Sequence, residues 1–170
     1  GVAREQYGGE MPPVFSELCD AYIEHYGAIV DLWDEGPKTM IHGDTHAGNQ
    51  FVDGDGIGIY DWAVISRSPG IRDIGIFLCN SCPPDLLGKE GEAWVRRYHQ
   101  ILVDSGVETP DFDTLWLRFR QVVLYGWITA TTTAAVGDRW QPLEVSLPSM
   151  RRATEICSDL GTVEAIRDAL

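Results

Sequence analysis

The amino-acid sequence predicts an α+β fold, predominantly helical, with one small β-hairpin near its start. Two observations carry that expectation. Apolar residues recur at spacings of three and four over several long stretches, the period of an amphipathic helix. Near residue 50 that period gives way to two short apolar runs around Asp53-Gly54-Asp55-Gly56, a hairpin-turn signal. The length, 170 residues, makes one domain the default and is enough to bury roughly 68–70 % of the unfolded surface.

The elements are taken in chain order. Residues 1–13, rich in Gly and Pro, read as a tail or the end of a connection. Phe15, Leu18, Tyr22, Tyr26, Ile29 and Trp33 then mark a helix that stops near Gly36-Pro37. Thr39-Met40-Ile41 is a short apolar lead into the next segment, and Gln50–Val52 and Ile57–Tyr60 are the two hairpin strands. Ser66 to Arg72 reads as a loop because it holds Pro69 and Gly70, and Asp73 is a candidate cap for a helix reaching about Asn80. Pro83-Pro84 breaks the chain. Trp94, Tyr98, Ile101 and Leu102 mark a further helix ended by Gly106. Phe112, Leu115, Trp116, Phe119, Val122, Val123 and Trp127 mark a longer one capped by Asp111. Pro142 and Pro148 punctuate the stretch after it, and residues 149–160 and 162–170 read as two final helices separated by Gly161. No internal repeat or low-complexity segment is visible.

Composition excludes several classes of function. The net charge is −13 and the only lysines are Lys38 and Lys89, so the basic footprint of a nucleic-acid binder is missing. The acidic balance suits a cationic small partner, although solubility alone also accounts for it. No apolar run approaches the roughly 18 residues of a membrane span, and the first residues lack an apolar leader, so a cytoplasmic location is expected. Cys79 and Cys82 have C-x-x-C spacing, but without a second Cys or His pair they read as buried free thiols at a helix end.

Chemistry concentrates between His42 and Asp61. His42-Gly43-Asp44-Thr45-His46-Ala47-Gly48-Asn49 places a carboxylate and an amide five residues apart on one loop. Asp61-Trp62 comes after the second strand, and the hairpin folds it back beside that loop. Phosphoryl transfer needs such a set: a carboxylate for the proton of the attacking hydroxyl, and hard oxygen ligands for magnesium. Asp53 and Asp55 read as turn formers, which leaves His42, Asp44 and His46 unexplained by turn chemistry. A two-metal phosphoesterase is a poor alternative: downstream only His99 remains as a histidine, with no neighbouring ligand.

These residues match the pattern H-G-D-x-H-x-x-N, followed by a metal-binding Asp, and on that match the chain resembles the aminoglycoside phosphotransferase and choline kinase-like family of the protein-kinase-like superfamily. Ala63 stands where protein kinases have the Gly of Asp-Phe-Gly, a departure shared with small-molecule kinases. The resemblance implies a kinase-like C-terminal lobe over residues 14–170, with Asp44 as the catalytic base. It implies Asn49 and Asp61 as ligands of Mg2+, and His46 against the transferring phosphate of ATP or another nucleoside triphosphate. His42 and Asp73 come over as structural supports of the loop.

The resemblance also implies a second lobe carrying a Gly-rich phosphate cover and a strand Lys, and the 41 residues before His42 show neither. A fragment of a longer enzyme, a truncated gene product and a free-standing lobe used as a binding module are the three readings, and the fragment is favoured. The nucleotide-binding lobe is then a partner, and the isolated chain is expected to be inactive. The alternative function is a non-catalytic module or truncated pseudokinase, which the intact Asp44, Asn49 and Asp61 disfavour. The acceptor is expected to be a small hydroxylated molecule of cationic character, with aminoglycoside and amino-alcohol types among the candidates. Most of Trp94, Tyr98, Trp116, Tyr125, Trp127 and Trp140 are expected in the core, with one or two available to line its pocket.

Overall fold

The apolar periodicity has its expected consequence in the computed structural model, which describes residues 1–170: seven helices pack around one core, and two small antiparallel sheets lie at one end. The helices are α1 (Val2–Tyr7), α2 (Pro13–Trp33), α3 (Ile71–Ser81), α4 (Pro84–Asp104), α5 (Phe112–Val136), α6 (Leu143–Asp159) and α7 (Thr162–Arg167). The strands are β1 (Lys38–Ile41), β2 (Gln50–Asp53), β3 (Gly56–Ile59) and β4 (Ser66–Pro69). The fold is α+β and predominantly helical.

The long helix α5 is the centre. Phe119, Val122, Val123, Leu124 and Trp127 are buried on it, and each such side chain contributes about 1.5–3 kcal/mol by leaving water. Its start is set as the sequence predicts: the Asp111 carboxylate accepts from the Thr114 N–H at 2.8 Å, satisfying one of the free donors of the first turn. The buried indole of Trp127 donates to Thr154 Oγ1 at 3.0 Å, which also ties α5 to α6. Helix α3 lies close against α5 because Gly126 has no side chain. A Cβ there would stand 2.8 Å from Cys79 Cβ, nearer than two carbons can approach. Cys19, Cys79, Cys82 and Cys157 are free and buried, as expected, and burial pushes the thiols of Cys19, Cys82 and Cys157 up, away from reactivity.

Four local expectations are corrected. Residues 1–13, expected as a tail or the end of a connection without a helix, contain α1 and a 3₁₀ turn at Gly8–Glu10. A six-residue helix is too short to show a period, and it is held by tertiary contacts: Ala3 is buried, and Tyr7 Oη donates to the Ala134 carbonyl at 3.3 Å. Ser66–Pro69 is a strand rather than a loop, paired with β1 from Lys38↔Pro69 to Ile41↔Ser66. Its polar sequence gives no strand signal, because the pairing partner lies some 28 residues away. Asp73 does not cap α3; Gly70 holds the cap position without a side-chain bond, and the carboxylate is used elsewhere. The helix expected from residue 149 begins at Leu143 and runs through Pro148. The carbonyl of Glu144, which loses its partner there, lies on an exposed residue where water can serve it.

The hairpin is as predicted, with register Gln50↔Ile59 to Asp53↔Gly56 and a two-residue turn at Gly54-Asp55. The two sheets share no strand, and the His42–Asp61 segment lies in the chain between the paired strands β1 and β4.

Candidate functional site

Strand β1 delivers the chain to His42, which is 2 % exposed and accounts for the shape of the loop. Its Nδ1 lies 3.2 Å from the Asp44 N–H and its Nε2 lies 2.9 Å from the Tyr60 carbonyl. A nitrogen facing an N–H must accept, so the proton sits on Nε2 and is donated to Tyr60. One neutral imidazole therefore ties the start of the loop to the end of the hairpin. The hairpin is tied back again by Tyr60 N–H to the Asn49 carbonyl at 3.0 Å and Tyr60 Oη to the Gly48 carbonyl at 2.5 Å.

Asp73, in the first turn of α3, holds the loop from the other side. Its two carboxylate oxygens accept the N–H groups of His42 and Gly43, both at 2.8 Å, and its carbonyl accepts Thr45 Oγ1 at 2.7 Å. A carboxylate in the first turn is also favoured by the partial positive charge of the helix terminus. Gly43 has φ +85, and a Cβ there would stand 2.6 Å from the Val64 carbonyl oxygen, so the loop requires glycine.

With the backbone set, the side chains converge on Asp44. Asn49 is buried, and its Nδ2 donates to Asp44 Oδ2 at 3.1 Å and to the Asp44 carbonyl at 2.9 Å. His46 Nδ1 accepts from Gly48 N–H at 3.1 Å, which leaves the Nε2 proton facing Asp44 Oδ2 at 3.5 Å, the far edge of a hydrogen bond. The His46 imidazole, aided by Asn49 and set against partial burial, holds the Asp44 carboxyl below its ordinary value. The Asp44 carboxylate, with Asp61 adding, holds His46 above its own.

The signs of these shifts set a pH dependence. The His46 contribution to stability is fully present below its unfolded value of 6.5 and is lost as the pH rises through the elevated folded value. The Asp44 contribution is present above 3.8 and is lost as the pH falls through the depressed value. Both side chains are more than a third exposed, so solvent screening keeps the effect to a few tenths of a kcal/mol, roughly that of a surface pair. Urea unfolding is expected to show His46→Gln less stable than wild type at about pH 5.5 and closer to it at about pH 8.5, where the contribution of the charged imidazole is lost as the pH rises. An equal difference at both pH values would count against a charged His46–Asp44 pair.

Asp61 completes the segment. It is the only non-glycine residue with positive φ, +62, a conformation that costs about 1 kcal/mol or more. Trp62 stands behind it, its ring 4.6 Å from that of His42 and its indole N–H donated to the Ile59 carbonyl at 3.2 Å. Neither the Asp61 carboxylate nor the Asn49 amide oxygen accepts a protein hydrogen bond. No group of three or more His, Cys, Asp or Glu stands where it could hold a metal by itself. A carboxylate and an amide oxygen left free on adjoining segments fit Mg2+, a hard ion that commonly takes only one or two protein ligands and completes its shell with phosphate oxygens and water.

Two surfaces flank Asp44. On the helical side a cavity of about 250 Å3 opens against Asp44 and His46. It is lined by Asn80 of α3, Thr129 and Thr133 of α5, Gln141, and Ser146 and Arg152 of α6. On the hairpin side Met40, Phe51, Val52, Ile57 and Trp62 are exposed. A larger, almost wholly apolar groove of about 410 Å3 between α1, α2 and α5 contains none of the loop residues.

None of the six aromatics singled out from the sequence lines the cavity at Asp44. Trp127 is in the core, Trp94, Tyr98, Trp116 and Tyr125 pack against it, and Trp140 is 64 % exposed. The residues that do line it escape the sequence reading. The one sequence signal for them is the threonine-rich stretch Thr129–Thr133 late in α5, in which Thr129 and Thr133 share a face at i and i+4.

A family model described as the phosphotransferase enzyme family matches residues 10–115, well over half of the 170. The match takes in α2, both sheets, the whole His42–Asp61 segment, α3 and α4. No curated protein and no solved structure matches the chain.

Proposed function

The chain belongs to the phosphotransferase enzyme family, and from that premise we propose that it is the C-terminal, catalytic lobe of a kinase acting on a hydroxyl group of a small molecule, with ATP or another nucleoside triphosphate as donor and Mg2+ as cofactor. The observation that carries the reading is the position of Asp44. Its carboxylate opens onto a cavity large enough for part of a small acceptor and is held by Asn49, whose amide oxygen, like the Asp61 carboxylate, no protein group uses.

In this reading the acceptor hydroxyl enters from the cavity and donates its hydrogen bond to Asp44. Its oxygen forms the new bond to the terminal phosphorus as the bond to the nucleotide diphosphate breaks, and the proton passes to the Asp44 carboxylate. A carboxyl held below its ordinary value is a weak base. Asp44 therefore orients the hydroxyl and takes the proton late, which suits a loose phosphoryl transition state. Asn49 has two tasks: its amide nitrogen fixes Asp44, and its oxygen, which no protein donor uses, would hold the metal with Asp61. Asn49 and Asp61 would hold Mg2+, which would supply charge neutralisation at the phosphates of the donor. His46 offers a proton-bearing Nε2 beside Asp44, able to donate to a transferring oxygen. His42 and Asp73 act through the backbone alone.

The exposed apolar side of the hairpin supports a further part of the proposal, that a nucleotide-binding lobe covers this face in the assembled enzyme. The elements before His42 are helices and one strand, with no strand-turn-strand cover for phosphates. A cytoplasmic place fits the four free thiols and a nucleotide donor; no helix is long and apolar enough to cross a membrane.

Transfer of labelled phosphate from ATP to a panel of hydroxylated acceptors tests the reading. The chain joined to its nucleotide-binding lobe is expected to turn over only with Mg2+ present, and the purified 170 residues alone are expected to stay near background. Efficient turnover by the chain alone would remove the need for a second lobe. Ligand binding with no transfer to any acceptor would favour a non-catalytic module.

A further inference from the structure

We infer that the acceptor held in the cavity beside Asp44 is a polyhydroxylated molecule carrying an anionic group, rather than a polyamine; this rests on the reading of Asp44 as the residue that receives the acceptor hydroxyl. The lining is hydroxyl and amide almost throughout, from Thr129, Thr133, Ser146, Asn80 and Gln141. Such groups exchange hydrogen bonds with several hydroxyls at once, and no aromatic face is present for an apolar or quaternary ammonium group to stack on.

Charge decides the rest. Asp44 is the only carboxylate on the wall; its Oδ2 faces Asn49 and His46, and in this reading its Oδ1 is left to the attacking hydroxyl. An acceptor with several ammonium groups would find no second anion. Arg152 is in the opposite position. It lies half-buried on the same wall, its Nη2 donates to the Asn80 carbonyl at 2.6 Å, and its Nε is buried without a partner. No carboxylate comes within ion-pair distance of it, although acidic residues outnumber basic ones by 26 to 13. A half-buried guanidinium on the cavity wall, with no carboxylate beside it, offers an anionic occupant a charge-assisted hydrogen bond.

A second group points the same way. Ser146 lines the cavity, is 1 % exposed, and its Oγ has no hydrogen-bond partner. Two other hydroxyls of the wall are satisfied locally: Thr133 Oγ1 donates to the Thr129 carbonyl at 2.9 Å, and Ser149 Oγ donates to the Val145 carbonyl at 3.0 Å; Thr131 Oγ1, which is likewise buried without a partner, does not line the cavity. Ser146 Oγ is left for an occupant, and Arg152 lies nearly two helical turns further along α6 on the same wall.

Matched six-carbon probes separate the possibilities. Sorbitol is neutral, gluconate carries a carboxylate, sorbitol 6-phosphate a phosphate, and glucamine an ammonium group. Each is titrated into the 170-residue chain while the amide signals of Thr129, Ser146 and Arg152 are observed by NMR. At least one anionic probe is expected to bind about tenfold more tightly than sorbitol or glucamine. The better of the two identifies carboxylate or phosphate as the source of the charge. Arg152→Gln is expected to erase that advantage and leave sorbitol binding unchanged, and Arg152→Lys to keep part of it. Glucamine binding as tightly as the anions would overturn the proposal, as would an anion preference that survives Arg152→Gln, or no response to any probe at these amides. Inorganic phosphate alone matching the anionic polyols would also overturn it, assigning Arg152 to the donor phosphate. Should Arg152→Gln fail to fold, the wild-type ranking and Arg152→Lys still decide. Loss of the ranking with Asp44-dependent transfer intact sinks only the acceptor class; loss of Asp44 dependence sinks the underlying reading.

Discussion

Asp44→Ala, in the chain joined to its nucleotide-binding lobe, is expected to lower kcat for phosphoryl transfer by about 100- to 10,000-fold, the range that a positioned proton acceptor contributes. Nucleotide binding should change little, because Asp44 faces the cavity while the oxygens offered to the metal belong to Asn49 and Asp61. The fold should survive as well. Asn49 Nδ2 loses the carboxylate at 3.1 Å but keeps the Asp44 carbonyl at 2.9 Å, so no buried donor is orphaned. The measurement is steady-state transfer alongside nucleotide affinity and a urea midpoint. Activity within a few-fold of wild type would remove Asp44 from the chemistry. A lost nucleotide affinity would instead place it on the donor side.

Asp73→Ala is expected to act by a different route, through stability first. The carboxylate satisfies two backbone N–H groups, of His42 and Gly43, both buried. Bonds to a charged acceptor are each worth about 1.5–3 kcal/mol, and a donor left buried without a partner is penalised further. A loss of about 3 kcal/mol in urea unfolding is therefore expected, with transfer falling because Asp44 is the next residue along the loosened backbone. Asp73→Asn keeps one accepting oxygen but turns an N–H toward the second donor, and should lie between alanine and wild type. A shift below about 1 kcal/mol for alanine would show that His42 and its bond to Tyr60 hold the loop unaided.

These two residues illustrate what could be read before any coordinates. Asp44 belongs to a contiguous motif in which residue types and spacing carry the chemical meaning, and the hairpin beside it is announced by its own turn. The same holds for the Asp111 cap, whose partner is three residues away. Asp73 is half legible: its local setting suggests a helix cap, the family resemblance suggests a support of the loop, and the structure shows the carboxylate on the loop N–H groups of His42 and Gly43. Strand β4 is not legible, since Ser-Arg-Ser-Pro has no strand pattern and exists through pairing with Lys38–Ile41. The short helix α1 is hidden for the same reason: it is supported by α5 and not by its own period.

The sequence by itself determined the α+β, mainly helical character of this protein, its family, and the segment from His42 to Asp61 where its chemistry is concentrated. Those features rest on local rules: helical period, turn residues and a motif short enough to be read along the chain. The tertiary structure alone decided the other wall of the site. Asn80, Thr129, Ser146 and Arg152 come from three helices and meet only because α3 can lie close on Gly126 of α5 and α6 crosses beside them. Their meaning is in mutual distance, unpaired polarity and an uncompensated charge, and none of these quantities exists in a chain before it folds.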